Sequence, residues 1–231
     1  MIPLRDDVPS RTTPFVTVAL IALNVLVFLY QLMLGPQLRL LYREFAVIPV
    51  LYFRDHYLGP GGGPVPVETA DLLIPLVTSM FLHGGWLHLI GNMVYLWIFG
   101  DNVEDRMGHG RYVVFYLLCG LSASGAHILT NVNSTVPSLG ASGAIAGVLG
   151  AYLLLFPGAK IMTLVPLGFF LDTIELPAVG FLGLWFAIQW IQGLKTIGQL
   201  ADVGGVAFWA HIGGFLSGMA WVLVRRRRAR W

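Results

Sequence analysis

A few polar side chains interrupt otherwise apolar stretches, and their types are those that acyl-transfer chemistry needs. Ser142 sits in Gly140-Ala141-Ser142-Gly143, and His211 heads Ala210-His211-Ile212-Gly213-Gly214. His88 and Asn92 are four residues apart, so on a helix they project from one face, with His83 just upstream. A serine hydroxyl becomes a nucleophile beside a base, and imidazole is the base whose ordinary pKa suits neutral pH. Asn92 and His88, with backbone amides at the N-terminal end of the helix that starts near Ser142, supply donors for an oxyanion. Taken singly, each position has a plainer reading. Serine among glycines packs membrane helices closely, Gly143 with Gly147 makes a small-xxx-small face, and His211 ahead of Gly214 and Gly218, like His88 with Asn92, bridges helices by hydrogen bonding.

The elements that must position these groups are membrane helices. The 231 residues are 56% hydrophobic and 11% charged, with a mean hydropathy of +0.74, too apolar for a soluble domain. Apolar stretches near the roughly 20 residues that a spanning helix needs recur along the whole chain. Six spans are predicted, at 15–34, 85–100, 112–130, 142–156, 177–194 and 205–224, making an all-α membrane protein with one domain over 1–231. Phe15–Leu34 exceeds a signal-peptide core and has no small-x-small cleavage site, so it is expected to be retained. Counted from the cytoplasmic ends at about 1.5 Å per residue, Ser142, His211 and His88 lie roughly 21, 20 and 18 Å up their helices. In a hydrocarbon core of about 30 Å, that is one level, roughly 10 Å below the outer surface. Asp172, Glu175 and Asp202 fall in connections, so the expectation is a Ser-His dyad without a carboxylate.

Basic residues set the topology. Arg5, Arg11, Arg106, Arg111, Lys160 and the terminal Arg225, Arg226, Arg227, Arg228 and Arg230 fall on one side, against Arg39, Arg43, Arg54 and Lys195 on the other. By the positive-inside rule both termini are expected in the cytoplasm. The arginine run reads as a stop-transfer anchor and not as a nucleic-acid site. The long connection Gly35–Ser79 is expected to lie in the outer interface as short amphipathic pieces, broken by the Gly/Pro cluster Gly59–Pro66. Cys119 is the sole cysteine, which excludes an intrachain disulfide and a cysteine-based metal site.

With these residues in order, the chain resembles the rhomboid family of intramembrane serine proteases over essentially its full length. His88-Leu89-Ile90-Gly91-Asn92 is similar to the family's His-x-x-x-Asn element, and His83-Gly84-Gly85-Trp86 to the approach to it. Gly100-Asp101-Asn102-Val103-Glu104 is similar to the turn that follows, Gly140-Ala141-Ser142-Gly143 to the Gly-x-Ser-Gly nucleophile motif, and Ala210-His211 with Gly214 and Gly218 to the histidine helix. The resemblance implies a six-helix bundle in the cell membrane. In it Ser142 is the nucleophile, His211 its base, and Asn92, His88 and the Ser142 amide the oxyanion donors, with no metal or cofactor. It implies single-span membrane-protein substrates cleaved in or near their spans, small residues at the scissile bond, and the fifth span with the loop Lys195–Gly204 as gate and cap. The compact core, without added domain or transit peptide, suggests a bacterial or archaeal plasma membrane.

Two departures stand out. A tyrosine that packs on the base in some members is replaced by Ala146, so another side chain must orient His211, and the Trp-Arg pair of the first outer loop is missing. The alternatives are a catalytically silent rhomboid-like protein that binds membrane clients, which predicts loss of Ser142 or His211, and a transporter, which predicts broken midplane helices or buried carboxylates.

Overall fold

The computed structural model describes residues 2–58, 62–167, 170–196 and 206–228. Gly59–Gly61 of the Gly/Pro cluster, residues 197–204 of the expected cap with Asp202, Gly205 at the start of the sixth predicted span, and Arg230 lie outside them. Strand β1 (Ile2–Asp6) precedes helix α1 (Phe15–Met33), and the long connection after α1 holds α2 (Leu38–Phe45), a hairpin of β2 (His56–Leu58) and β3 (Pro64–Pro66), and α3 (Thr69–Thr78). Then come α4 (Trp86–Met107), α5 (His109–Thr130), α6 (Ser142–Leu155), β4 (Lys160–Leu167), β5 (Phe170–Pro177), α7 (Ala178–Thr196) and α8 (Phe208–Arg228).

The fold is mostly helical but not all-α. β4 and β5 pair antiparallel from Lys160↔Pro177 to Leu167↔Phe170, and β1 adds to β4, giving the sheet order β1-β4-β5. The stretch read as a plain connection before the fifth span is rich in β-branched and apolar residues bounded by turn residues, which suits a hairpin. The expected turn at Gly100–Glu104 is likewise corrected. α4 runs on to Met107, and the chain reverses at Gly108, whose φ of +81° suits glycine. The polar residues there stay helical because they face donors of the N-terminal segment. Ser10 Oγ donates to Asp101, Thr12 N–H and Oγ to Asp105, and the fully buried Glu104 accepts from Val16 N–H, Thr17 N–H and Thr17 Oγ at 2.7–2.9 Å. Glu104 thereby caps the free amides that open α1 and sits at the positive end of its dipole.

Among the described residues, α1 and α5 are long and apolar enough to cross a membrane by themselves, and α3 with α4, bent by 77°, make a third span if counted together. α6 has only 14 residues and is buried along nearly its whole length. It packs chiefly on α8, with α5 and α4 around it. That position demands small residues. A Cβ on Gly214 would fall 1.9 Å from the Gly143 carbonyl oxygen, one on Gly218 1.9 Å from that of Gly147, and one on Gly150 2.1 Å from that of Phe215. The two backbones touch, as small-xxx-small pairs permit. Around this seam Phe99, Tyr112, Phe115, Tyr116 and Tyr152 are wholly buried.

Candidate active site

Ser142 is the first residue of α6, and His211 lies in the first turn of α8. The glycine seam between those helices carries the two side chains to hydrogen-bond distance, with His211 Nε2 2.8 Å from Ser142 Oγ. The first intrahelical bond of α6 is Ile145 N–H to the Ala141 carbonyl. The amides of Ser142, Gly143 and Ala144 therefore open outward from the helix start, where the dipole favours negative charge.

The approach to Ser142 is shaped by Gly140. Its φ is +125°, a conformation glycine adopts without strain, and its amide donates to the Ser79 carbonyl at 2.8 Å. A Cβ there would fall 2.7 Å from both Cε1 and Nε2 of His88 and 3.7 Å from Nδ2 of Asn92. The side chains of His88 and Asn92 thus press against the backbone two residues before Ser142. The Gly84 amide approaches His88 Nδ1 at a long 3.4 Å, which favours the proton on Nε2, the nitrogen facing Gly140. Just upstream of Gly140, Val47 and Ser138 exchange backbone bonds of 3.0 and 2.7 Å, tying the connection between α1 and α4 to this segment.

A second layer holds Asn92. Its Nδ2 donates to His83 Nε2 at 2.9 Å, and both residues are buried. His83 is held in turn by its backbone: Gln31 of α1 accepts from its N–H at 2.9 Å and donates to its carbonyl at 2.8 Å, and the Tyr42 hydroxyl of α2 donates to the same carbonyl at 3.0 Å.

Of the residues singled out in the sequence, Ser142, His211, His88, Asn92 and Gly140 meet in one place, Gly143 lies in the seam beneath them, and His83 stands behind Asn92. Sequence reasoning missed Gln189, whose Oε1 lies 2.8 Å from His211 Nδ1. It also missed Trp185, whose ring is 5.8 Å from the imidazole, centroid to centroid, and inclined at 36°. Both come from α7, spaced i, i+4 on one face. The signal was present for Gln189 and for Gln31, since an amide inside an apolar helix needs a partner. Trp185 carried none, being one aromatic among many.

The Rhomboid domain family matches residues 71–228, two thirds of the chain and all of the residues from His83 to His211 described above. The chain belongs to the rhomboid family. This rhomboid is 31% identical over 150 residues to Rhomboid protein 1, mitochondrial, of Saccharomyces cerevisiae, covering 63% of this chain and 40% of that protein. It is 37% identical over 145 residues to Rhomboid protease GluP of Bacillus subtilis, covering 63% and 25%, and 31% identical over 157 residues to Presenilin-associated rhomboid-like protein A, mitochondrial, of Danio rerio, covering 64% and 37%. The chain thus spans between a quarter and two fifths of the length of these relatives. Gln31 and Tyr42 lie outside the matched residues, so the support behind His83 comes from the rhomboid's N-terminal portion.

Proposed function

We propose that this rhomboid is an intramembrane serine endopeptidase that hydrolyses peptide bonds in or near the spans of single-span membrane proteins. The observation that carries the proposal is the 2.8 Å approach of His211 Nε2 to Ser142 Oγ. In the mechanism, Nε2 takes the hydroxyl proton as Oγ attacks the scissile carbonyl, and the imidazolium returns that proton to the leaving amine. The developing oxyanion lies at the start of α6, where the Ser142 amide, Asn92 Nδ2 and His88 Nε2 donate to it. Water, with its proton taken by His211, then attacks the acyl-enzyme and frees Ser142. A substrate must unwind locally to present its peptide bond, because a carbonyl within an intact helix is shielded and already hydrogen-bonded. The glycines and alanines around Ser142 suit a small residue at the scissile bond.

We place the six helices α1, α4, α5, α6, α7 and α8 as six spans in the cell membrane, with both termini cytoplasmic, consistent with the basic residues near β1 and at the end of α8. The test is cleavage of a tagged single-span protein in liposomes by wild type, Ser142→Ala and His211→Ala. Both variants are expected to lose activity by roughly the 10³–10⁶-fold typical of lost nucleophile or base. Cleavage at the wild-type rate by either variant overturns the Ser-His dyad, and absence of cleavage by wild type favours a silent client-binding protein. The rate is expected to fall on acidification, as imidazolium cannot act as the base.

A further inference from the structure

The geometry points to Gln189 as a positioning residue that completes a Ser-His-Gln arrangement, with helix α7 supplying the part of the base that α6 and α8 lack. This rests on the protease reading above. A histidine serves as base to Ser142 only if the nitrogen facing the hydroxyl carries a lone pair, so the proton must be on the other nitrogen. Gln189 Oε1, 2.8 Å from Nδ1, can only accept. It therefore draws the proton to Nδ1 and leaves Nε2 free toward Ser142 Oγ, 2.8 Å away. That is the work a carboxylate does in the Ser-His-Asp arrangement, apart from stabilising the imidazolium with a charge. Gln189 itself is buried, where an amide left without a partner is costly, so the bond holds both side chains.

Among the described residues, the neighbours leave Gln189 without a competitor for this role. Among the described residues, the titratable side chains that act on His211 are His88 from α4 and His127 from α5, both imidazoles and neither placed as an Nδ1 acceptor. Residue 146, where a ring could pack on the base, is an alanine wholly buried in the α6 core. Trp185, one turn before Gln189, covers the imidazole instead.

α7 is also the helix that holds this partner by side chains more than by backbone. It docks on α8 through rings: Trp185 and Phe186 against Phe215 at 6.0 and 4.6 Å, and Trp190 against Trp209 at 5.9 Å. Its outward face, Leu184, Ile188, Ile191 and Leu194, is exposed. The base is complete only while α7 is docked.

The experiment compares Gln189→Leu and Gln189→Glu in the full chain, reconstituted in liposomes with a tagged single-span substrate, alongside Ser142→Ala and thermal melts. Gln189→Leu is expected to lower kcat by about 10²-fold with KM little changed, the low end of what a positioned base supplies. Gln189→Glu restores the acceptor. It is expected to cleave within about tenfold of wild type and to move the acid limb of the rate profile to higher pH, because a carboxylate favours the imidazolium. Wild-type kcat in Gln189→Leu overturns the proposal. So does a Gln189→Glu variant that melts like wild type yet is as slow as Gln189→Leu, and it decides the matter if Gln189→Leu itself melts early. Failure of the underlying reading has a different signature, namely cleavage that survives in Ser142→Ala.

Discussion

At the scale of single residues, the site depends on one backbone position as much as on its reactive atoms. Gly140 stands at φ +125° with the His88 ring 2.7 Å from where a Cβ would sit. Gly140→Ala therefore meets both a disfavoured conformation and a steric clash, and rotating His88 away removes a donor from the proposed oxyanion position. The expected outcome is a fall in kcat of roughly 10²-fold, the loss typical of one oxyanion donor, measured on purified protein that still melts cooperatively. His83→Leu tests the layer behind. It removes the acceptor of the Asn92 amide at 2.9 Å, so Asn92 loses its orientation. Cleavage is expected to fall about tenfold or more while labelling of Ser142 by a small serine reagent persists, because the proposed nucleophile and base are untouched.

At the scale of elements, α6 and α8 are set by glycines that allow no side chain between them. Gly214→Ala places a Cβ 1.9 Å from the Gly143 carbonyl oxygen, which only helix separation relieves. Unfolding in mixed micelles is expected to show a loss on the order of 1–3 kcal/mol, and activity should fall with it as Ser142 and His211 draw apart. α1 and α4 are joined at their other ends by Glu104. Glu104→Ala strands the Val16 and Thr17 amides and the Thr17 hydroxyl, all now bonded to the carboxylate. At about 1–3 kcal/mol for each buried donor left unpaired, it is expected to be the more damaging of the two changes, read from the same unfolding curves.

At the scale of the whole molecule, β1 brings the beginning of the chain to its middle. Asp6 pairs with Ile161 in the sheet, and its carboxylate accepts from the Tyr152 hydroxyl of α6. Burial pushes Asp6 from its ordinary 3.8 up to about 6, the Tyr152 bond opposing the shift only in part. The folded chain thus holds the Asp6 proton more tightly than the unfolded chain does. This contribution to stability is fully present below about pH 4 and is lost as pH rises through 6. Melting temperatures of wild type are expected to fall across that window relative to those of Asp6→Asn. Parallel curves for the two proteins would show that β1 exerts no such effect.

The order and identity of the polar residues, the helical periods around them and the glycine pairs were legible in the chain, because burying polar atoms in apolar helices and closing backbones together restrict residue type locally. From them came Ser142, His211, His88 and Asn92 as one group, and membership of the rhomboid family followed from the matching residues. What only the tertiary structure decided depends on contacts between distant segments. Gln189 looks like any polar residue in an apolar helix until α7 packs on α8. Gln31 meets His83 across 52 residues. The hairpin β4–β5 becomes a three-stranded sheet through a strand at the beginning of the chain. Local composition determines which atoms can react, whereas the partner that orients each of them is set by packing, which no single stretch of sequence contains.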